Sequence, residues 1–188
     1  MKRASIVAGI AVIALTAGAA FAAKAIGNNR VSADRGRYLV SIMGCHDCHT
    51  PFTMGPNGPQ PDLSKALSGH PEGFALTTPP QLNETWGMVA AATNTAFHGA
   101  WGVSFAANLT PDQNTGLGIW TEDMFVRAIR TGKHMGVSRP IMPPMPWTVF
   151  RNASDEDLKS IFAYLRTIPA ITNHVPAYQE PQVARTTN

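Results

Sequence analysis

The only two cysteines of the chain stand three positions apart, in the stretch GCHDCHT at residues 44–50. Cys45 and Cys48 are followed directly by His49. Two closely spaced cysteines serve three kinds of chemistry: a redox-active disulfide, part of a metal site, or the covalent attachment of a cofactor. The surrounding sequence has to discriminate between these three.

The first two interpretations lack support elsewhere in the chain. A redox disulfide is typical of a βαβ pattern, which the sequence does not show. A structural zinc site needs two further ligands at compatible spacing. The chain has no other cysteine, and its remaining histidines outside the motif stand far apart, at His70, His98, His134 and His174.

His49 completes the pattern C-x-x-C-H, which is the attachment signal of c-type haem. Two thiols on one helical turn can reach the two vinyl groups of a haem, and the next residue then offers its imidazole to the iron. The sequence therefore predicts one covalently bound haem c, held by Cys45 and Cys48 and ligated by His49. His46, inside the motif, is interpreted as a spacer.

A proline-rich strap, PIMPPMPW at residues 140–147, offers the sixth iron ligand. Its four prolines restrict it to an extended path with a three-residue repeat, so that Met142 and Met145 could project from one side. A thioether ligand raises the reduction potential and closes the iron to other ligands. We favour Met145, with Met142 as the alternative and His98 and His134 as further alternatives.

The elements that position these residues are predicted to be helices. A short helix over 32–43 leads into the cysteines, and Thr121 caps a helix over about 122–131. The clearest helix opens at Ser154, carries an apolar stripe and ends before Pro169. Residues 50–84 are predicted to be loop, and residues 85–107 are apolar without a clear period. Since no strand alternation is visible, the predicted fold class is mainly α.

Twelve residues after His49, Pro61-Asp62-Leu63 resembles the class I c-type cytochromes. That resemblance implies that the Pro61 carbonyl accepts a hydrogen bond from the axial histidine and that Leu63 packs on the haem. Gly36 and Tyr164 resemble the pair at which the N- and C-terminal helices of that family touch. The implied fold is a mainly α class I cytochrome c fold with the haem in a crevice and a long loop-rich insertion.

A narrower resemblance covers most of the chain. The runs at 108–134, 143–147 and 154–169 are similar to the cytochrome subunits of membrane-bound alcohol and gluconate dehydrogenases, which implies that Met145 is the axial ligand. Such subunits usually carry two or three haem motifs, whereas this chain carries one. It is therefore identified as a single-haem relative.

Residues 1–22 are predicted to be a signal peptide, with a basic start, an apolar run and a small-x-small end at Ala20-Phe21-Ala22. A retained inner-membrane anchor is the alternative. The predicted product is periplasmic, with a haem domain over 23–175 and a tail over 176–188. Lys2 and Arg3 are two of the 15 basic residues, so without them the excess over 12 acidic residues falls from +3 to +1. Nucleic-acid binding has no support.

The function expected from these features is electron transfer, with no catalytic residues in the chain. We predict a monohaem carrier of single electrons between redox partner proteins, such as a dehydrogenase, an oxidase or other cytochromes. The alternative is a fixed cytochrome subunit of a membrane dehydrogenase or respiratory complex. A third hypothesis is a haem enzyme or gas sensor with a labile sixth ligand.

Overall fold

The computed structural model describes residues 30–83 and 85–181. The predicted signal peptide lies outside these residues. Within the described ranges, no helix combines the length and the apolar character that a membrane crossing requires.

The described residues form five α-helices and five short strands, and the strands belong to two small sheets. The prediction of a mainly α class I cytochrome c fold is therefore wrong, because one sheet lies in the region expected to be loop and the other in residues 85–107, for which the sequence showed no clear period. The helices are α1 (Ala33–Ile42), α2 (Cys45–His49), α3 (Glu122–Thr131), α4 (Trp147–Phe150) and α5 (Asp155–Leu165). The strands are β1 (Phe52–Gly55), β2 (Gly58–Pro61), β3 (Met88–Ala90), β4 (Ala96–Gly99) and β5 (Gly102–Phe105).

Helices α1 and α5 pack directly against each other. Each begins at a serine whose hydroxyl accepts a backbone N–H three residues on: Ser32 for α1 and Ser154 for α5. The helices approach closely at Gly36, where an added Cβ would lie 1.9 Å from the carbonyl oxygen of Ser160. Only a residue without a side chain allows this separation.

Gly36→Ala is expected to lower the free energy of unfolding by about 2 kcal/mol, since the new methyl group must displace the backbone of α5. The higher helix propensity of alanine offsets less than about 1 kcal/mol of this cost. Chemical denaturation of the haem-loaded protein measures the loss. Gly73→Ala is the control, because a Cβ at Gly73 meets nothing within 4 Å. Equal stability of the two variants would contradict the close approach.

The two sheets are antiparallel. Strands β1 and β2 form a hairpin directly after the cysteine helix, and β3, β4 and β5 form a three-stranded meander in the order of the sequence. Strand β5 also exchanges backbone hydrogen bonds at Val103 with Gln179, near the end of the described chain. Most residues of β4 and β5 are buried on both faces, so these strands show no alternation of polar and apolar residues.

The main hydrophobic core lies between α1, α3 and α5. Its largest fully buried side chains are Leu67, Leu158 and Leu165. Two partly buried residues from the predicted site, Cys45 and Met145, pack against this core. The fold thus brings the cysteine helix and the proline-rich strap to one apolar interior.

Candidate haem site

The cysteine helix α2 is a single turn that begins after Gly44, whose backbone is left-handed at φ 67°. Cys45 and Cys48 are separate thiols, three positions apart on this turn. Burial raises the pKa of the Cys45 thiol to about 11 and also raises that of Cys48. Redox-active cysteine pairs have a lowered pKa, so the environment of this pair does not favour disulfide chemistry.

His49 is held in one orientation at the end of α2. The residue is only 8% exposed, and its Nδ1 lies 2.8 Å from the carbonyl oxygen of Ala107. Since a carbonyl only accepts, Nδ1 carries the proton and Nε2 keeps its lone pair. Burial lowers the pKa of His49, which keeps the ring neutral and able to bind a metal. Within the described residues, Nε2 makes no hydrogen bond.

The role predicted for Pro61 is not the one that the structure shows, because Pro61 ends strand β2 opposite Phe52 and does not bond to His49. Leu63 is 72% exposed, and its packing on the haem stays a prediction. The carbonyl that fixes His49 belongs to Ala107, which follows the histidine by 58 positions. The Pro61 prediction is therefore corrected: the resemblance indicated the right kind of bond but the wrong partner.

Met145 and Met142 are both half-buried, but only Met145 packs against the main core, as Cys45 does. The strap is not the uniform extended path expected from its prolines. The Met145 N–H donates to the Met142 carbonyl at 3.3 Å, and this bond closes a turn between the two methionines. Because of this turn, the two methionines do not project from the same side of an extended path as predicted. Met145 is the one that packs against the core.

The strap is fastened at both ends and in its middle. At its start, the Ile141 N–H donates to the Gly132 carbonyl at 2.8 Å. At its end, the Trp147 ring lies against Gly132, where an added Cβ would be 2.4 Å from the indole. In the middle, the hydroxyl of Ser104 donates to the carbonyl of Pro143. These contacts hold Met145 on a constrained segment.

The other histidines have their own surroundings. His46 Nδ1 pairs with the Thr50 hydroxyl at 2.9 Å, as suits a spacer within the motif. The ring of His134 meets Trp120 edge-on, with centroids 5.0 Å apart. The Nδ1 atom of His98 is buried in β4 and has no hydrogen-bond partner among the described residues. None of these contacts joins a second histidine to His49.

Three positions that matter for this geometry were missed from the sequence: Gly69, Ser104 and Ala107. Ala107 acts through a backbone carbonyl, for which no residue type is diagnostic. Gly69 lies in the stretch predicted to be loop, and Ser104 lies in strand β5, which the sequence did not reveal. Gly69 was the one residue type among the three that could have drawn notice, but glycines are common in turns and do not indicate a specific contact.

The donor set fits a covalently bound haem. Two free thiols share one helical turn with a buried, neutral imidazole whose Nε2 is available, and a half-buried thioether faces the same core. In the described ranges, no three His, Cys, Asp or Glu side chains lie together in a metal-binding group.

Comparison with known proteins gives relatives of one kind, although no family model matches the chain. One component of the nicotinate dehydrogenase of Pseudomonas putida is 36% identical over 146 residues, which are 78% of this chain. The fructose dehydrogenase cytochrome subunit of Gluconobacter japonicus is 28% identical over 74% of the chain. The cytochrome c subunit of alcohol dehydrogenase (quinone) from Gluconobacter oxydans is 26% identical over 84% of it.

The matched region is a small part of each of these proteins. The chain spans 9%, 22% and 25% of their respective lengths. The chain is a relative of the cytochrome subunits of dehydrogenases, and the resemblance predicted from the sequence is confirmed. The names of two of these relatives designate cytochrome subunits.

Proposed function

We propose that this chain is a monohaem cytochrome c subunit that accepts single electrons from the catalytic subunit of a dehydrogenase and passes them on. Haem c is attached to Cys45 and Cys48, with His49 and Met145 as its axial ligands. The observation that carries this proposal is the buried His49 ring, with Nδ1 bonded to Ala107 and Nε2 available, beside two free thiols.

Each site residue has a defined task in this proposal. The bound haem supplies a one-electron couple between ferric and ferrous iron. The Ala107 carbonyl orients the imidazole of His49 and increases its donor strength. The apolar core around Cys45 and Met145 excludes water, and the soft thioether favours the reduced state.

The domain organisation belongs to the same proposal. Residues 23–175 form the haem domain, residues 1–22 export it to the periplasm, and residues 176–188 form a tail. The names of the relatives support a fixed subunit more than the freely diffusing carrier predicted from the sequence. We therefore place the chain within a dehydrogenase assembly.

Purification of the full-length protein from its native host tests the proposal. Mass analysis is expected to give one haem added to the chain. The absorption of reduced haem should then grow when substrates of the related dehydrogenases (nicotinate, fructose, gluconate, alcohols) are added to the purified assembly. A chain without covalent haem would refute the site. A haem-loaded chain that purifies alone and is reduced by none of these substrates would favour the free carrier.

A further inference from the structure

The segment from Ser104 to Ala107 contacts both His49 and the strap that carries Met145. It begins in strand β5, which pairs with β4 on one side and exchanges two 2.9 Å backbone bonds between Val103 and Gln179 on the other. Beyond the strand, the Ala106 N–H donates to the Thr95 carbonyl at 2.8 Å. Ser104 is only 6% exposed. Ser104 and Ala106 are buried, Phe105 is half-buried and Ala107 is exposed, and backbone hydrogen bonds hold the segment as far as Ala106.

One end of this segment fixes His49. The Ala107 carbonyl accepts from His49 Nδ1, while the Gly69 N–H donates to the backbone carbonyl of His49 at 2.8 Å. Gly69 also packs closely against the segment, since an added Cβ would be 2.7 Å from the Ala107 oxygen and 2.4 Å from the Ala106 oxygen. Its backbone is left-handed, with φ at 80°. Gly69 thus sets the distance between His49 and the carbonyl that orients it.

The other end fixes the strap. The Ser104 hydroxyl donates to the Pro143 carbonyl, two residues before Met145. The indole N–H of Trp101 donates to the Ser104 oxygen at 3.2 Å. Two carbonyl oxygens lie within reach of the hydroxyl proton, and the Pro143 oxygen is nearer than that of Phe97, which is 3.5 Å away. The Met145 N–H bonds back to Met142, so the contact at Pro143 lies inside the turn that presents Met145.

We propose that Ser104 to Ala107 is a brace that positions both axial ligands: Ser104 retains Met145, and Ala107, spaced by Gly69, orients His49. Three residue steps of extended chain span about 10 Å, so both attachments sit on one short segment that begins in strand β5. This inference rests on the proposed function, since it concerns the same two ligands. It gives the sheet within residues 64–107 a specific task.

The strap side is tested with Ser104→Ala. The ferric haem-loaded protein is titrated with imidazole, and the loss of the far-red absorption band of methionine-ligated iron is followed. One hydrogen bond changes an equilibrium constant by up to a factor of roughly ten. Imidazole is therefore expected to displace half of the Met145 ligand at a roughly three- to tenfold lower concentration than in the wild type. The control is Ser160→Ala, which also removes a buried hydroxyl, one bonded to the Ser32 N–H.

The histidine side is tested with Gly69→Ala, and Gly73→Ala serves as its control. The added methyl group pushes Ala107 away from His49 and weakens the Nδ1 bond. A less basic imidazole stabilises ferric iron less, so the reduction potential is expected to rise. The paramagnetic shifts of the haem methyl groups should change as well, because they report the orientation of the axial ligands. A Gly69→Ala variant that does not fold leaves the decision to Ser104→Ala.

Three results separate the outcomes. The brace is overturned, while the proposed function stands, if Ser104→Ala binds imidazole with wild-type affinity. It is also overturned if imidazole affinity rises equally in Ser104→Ala and Ser160→Ala. An unchanged potential and unchanged methyl shifts in folded Gly69→Ala also overturn it. A wild-type ferric protein that lacks the far-red band overturns the axial assignment and the brace together.

Discussion

Met145→Ala is expected to lower the reduction potential by on the order of 0.2 V, a substantial share of the roughly 0.8 V that axial ligation spans in haem proteins. The thioether is a soft donor that favours ferrous iron, and water or an open position in its place favours the ferric state. The same change should abolish the far-red band and let ferrous iron bind carbon monoxide rapidly. Potentiometric titration and two absorption spectra measure these effects.

Two other methionines serve as controls for this prediction. Met142→Ala tests the alternative ligand of the strap, which does not pack against the main core. Met54→Ala removes a side chain that is 78% exposed on strand β1. Neither variant should change the reduction potential by more than a few per cent of the roughly 0.8 V over which axial ligands set it in haem proteins. Loss of the band in Met142→Ala instead would move the axial assignment to that residue.

Several residues restrain the strap, but only Met145 supplies the proposed ligand atom, so full loss of ligation is expected only when Met145 is changed. The thioether–iron bond is weak, so its retention depends on how much conformational freedom the strap has left to lose. Ser104 and Gly132 restrict the strap through Pro143 and Ile141, and the Trp147 ring lies against Gly132. A change at one of these positions should therefore weaken the ligation gradually, whereas removal of the thioether abolishes it.

Features that depend on neighbouring residues could be predicted from the sequence. The spacing of Cys45, Cys48 and His49 lies within one helical turn, and the structure has that turn as α2. The caps predicted at Thr121 and Ser154 are confirmed, because a hydroxyl that accepts an N–H three residues on is a local interaction.

Features that depend on distant residues could not be predicted. Strands β4 and β5 are four residues long and mostly buried on both faces, so neither length nor alternation distinguished them from loop. The partner of His49 was assigned to Pro61 from the resemblance to class I c-type cytochromes, yet the bond goes to a carbonyl that follows strand β5 and lies beside the cysteine helix. The fold class was wrong for the same reason: one sheet lies where glycines and prolines suggested only turns, and the other in an apolar stretch without a clear period.

Cys45→Ser is expected to reduce the yield of folded, haem-loaded protein by roughly tenfold or more. A bound cofactor stabilises only the native state, so weaker attachment lowers the stability of the whole domain. Cys45 also packs against the main core, where the new hydroxyl is buried next to apolar side chains. Cys48 is not among the side chains that pack there, so Cys48→Ser should reduce the yield less, although it also removes one attachment.

Yield and covalent haem are measured together, by absorption of the purified protein and by haem staining after denaturation. Ala153→Ser is the control, because it introduces a hydroxyl at the same core and leaves both thiols intact. It should accumulate with haem at a level close to that of the wild type. If Cys45→Ser and Ala153→Ser lose yield equally, the buried hydroxyl accounts for the loss. Normal accumulation of Cys45→Ser without any haem would contradict the attachment itself, because the core would then form without the cofactor.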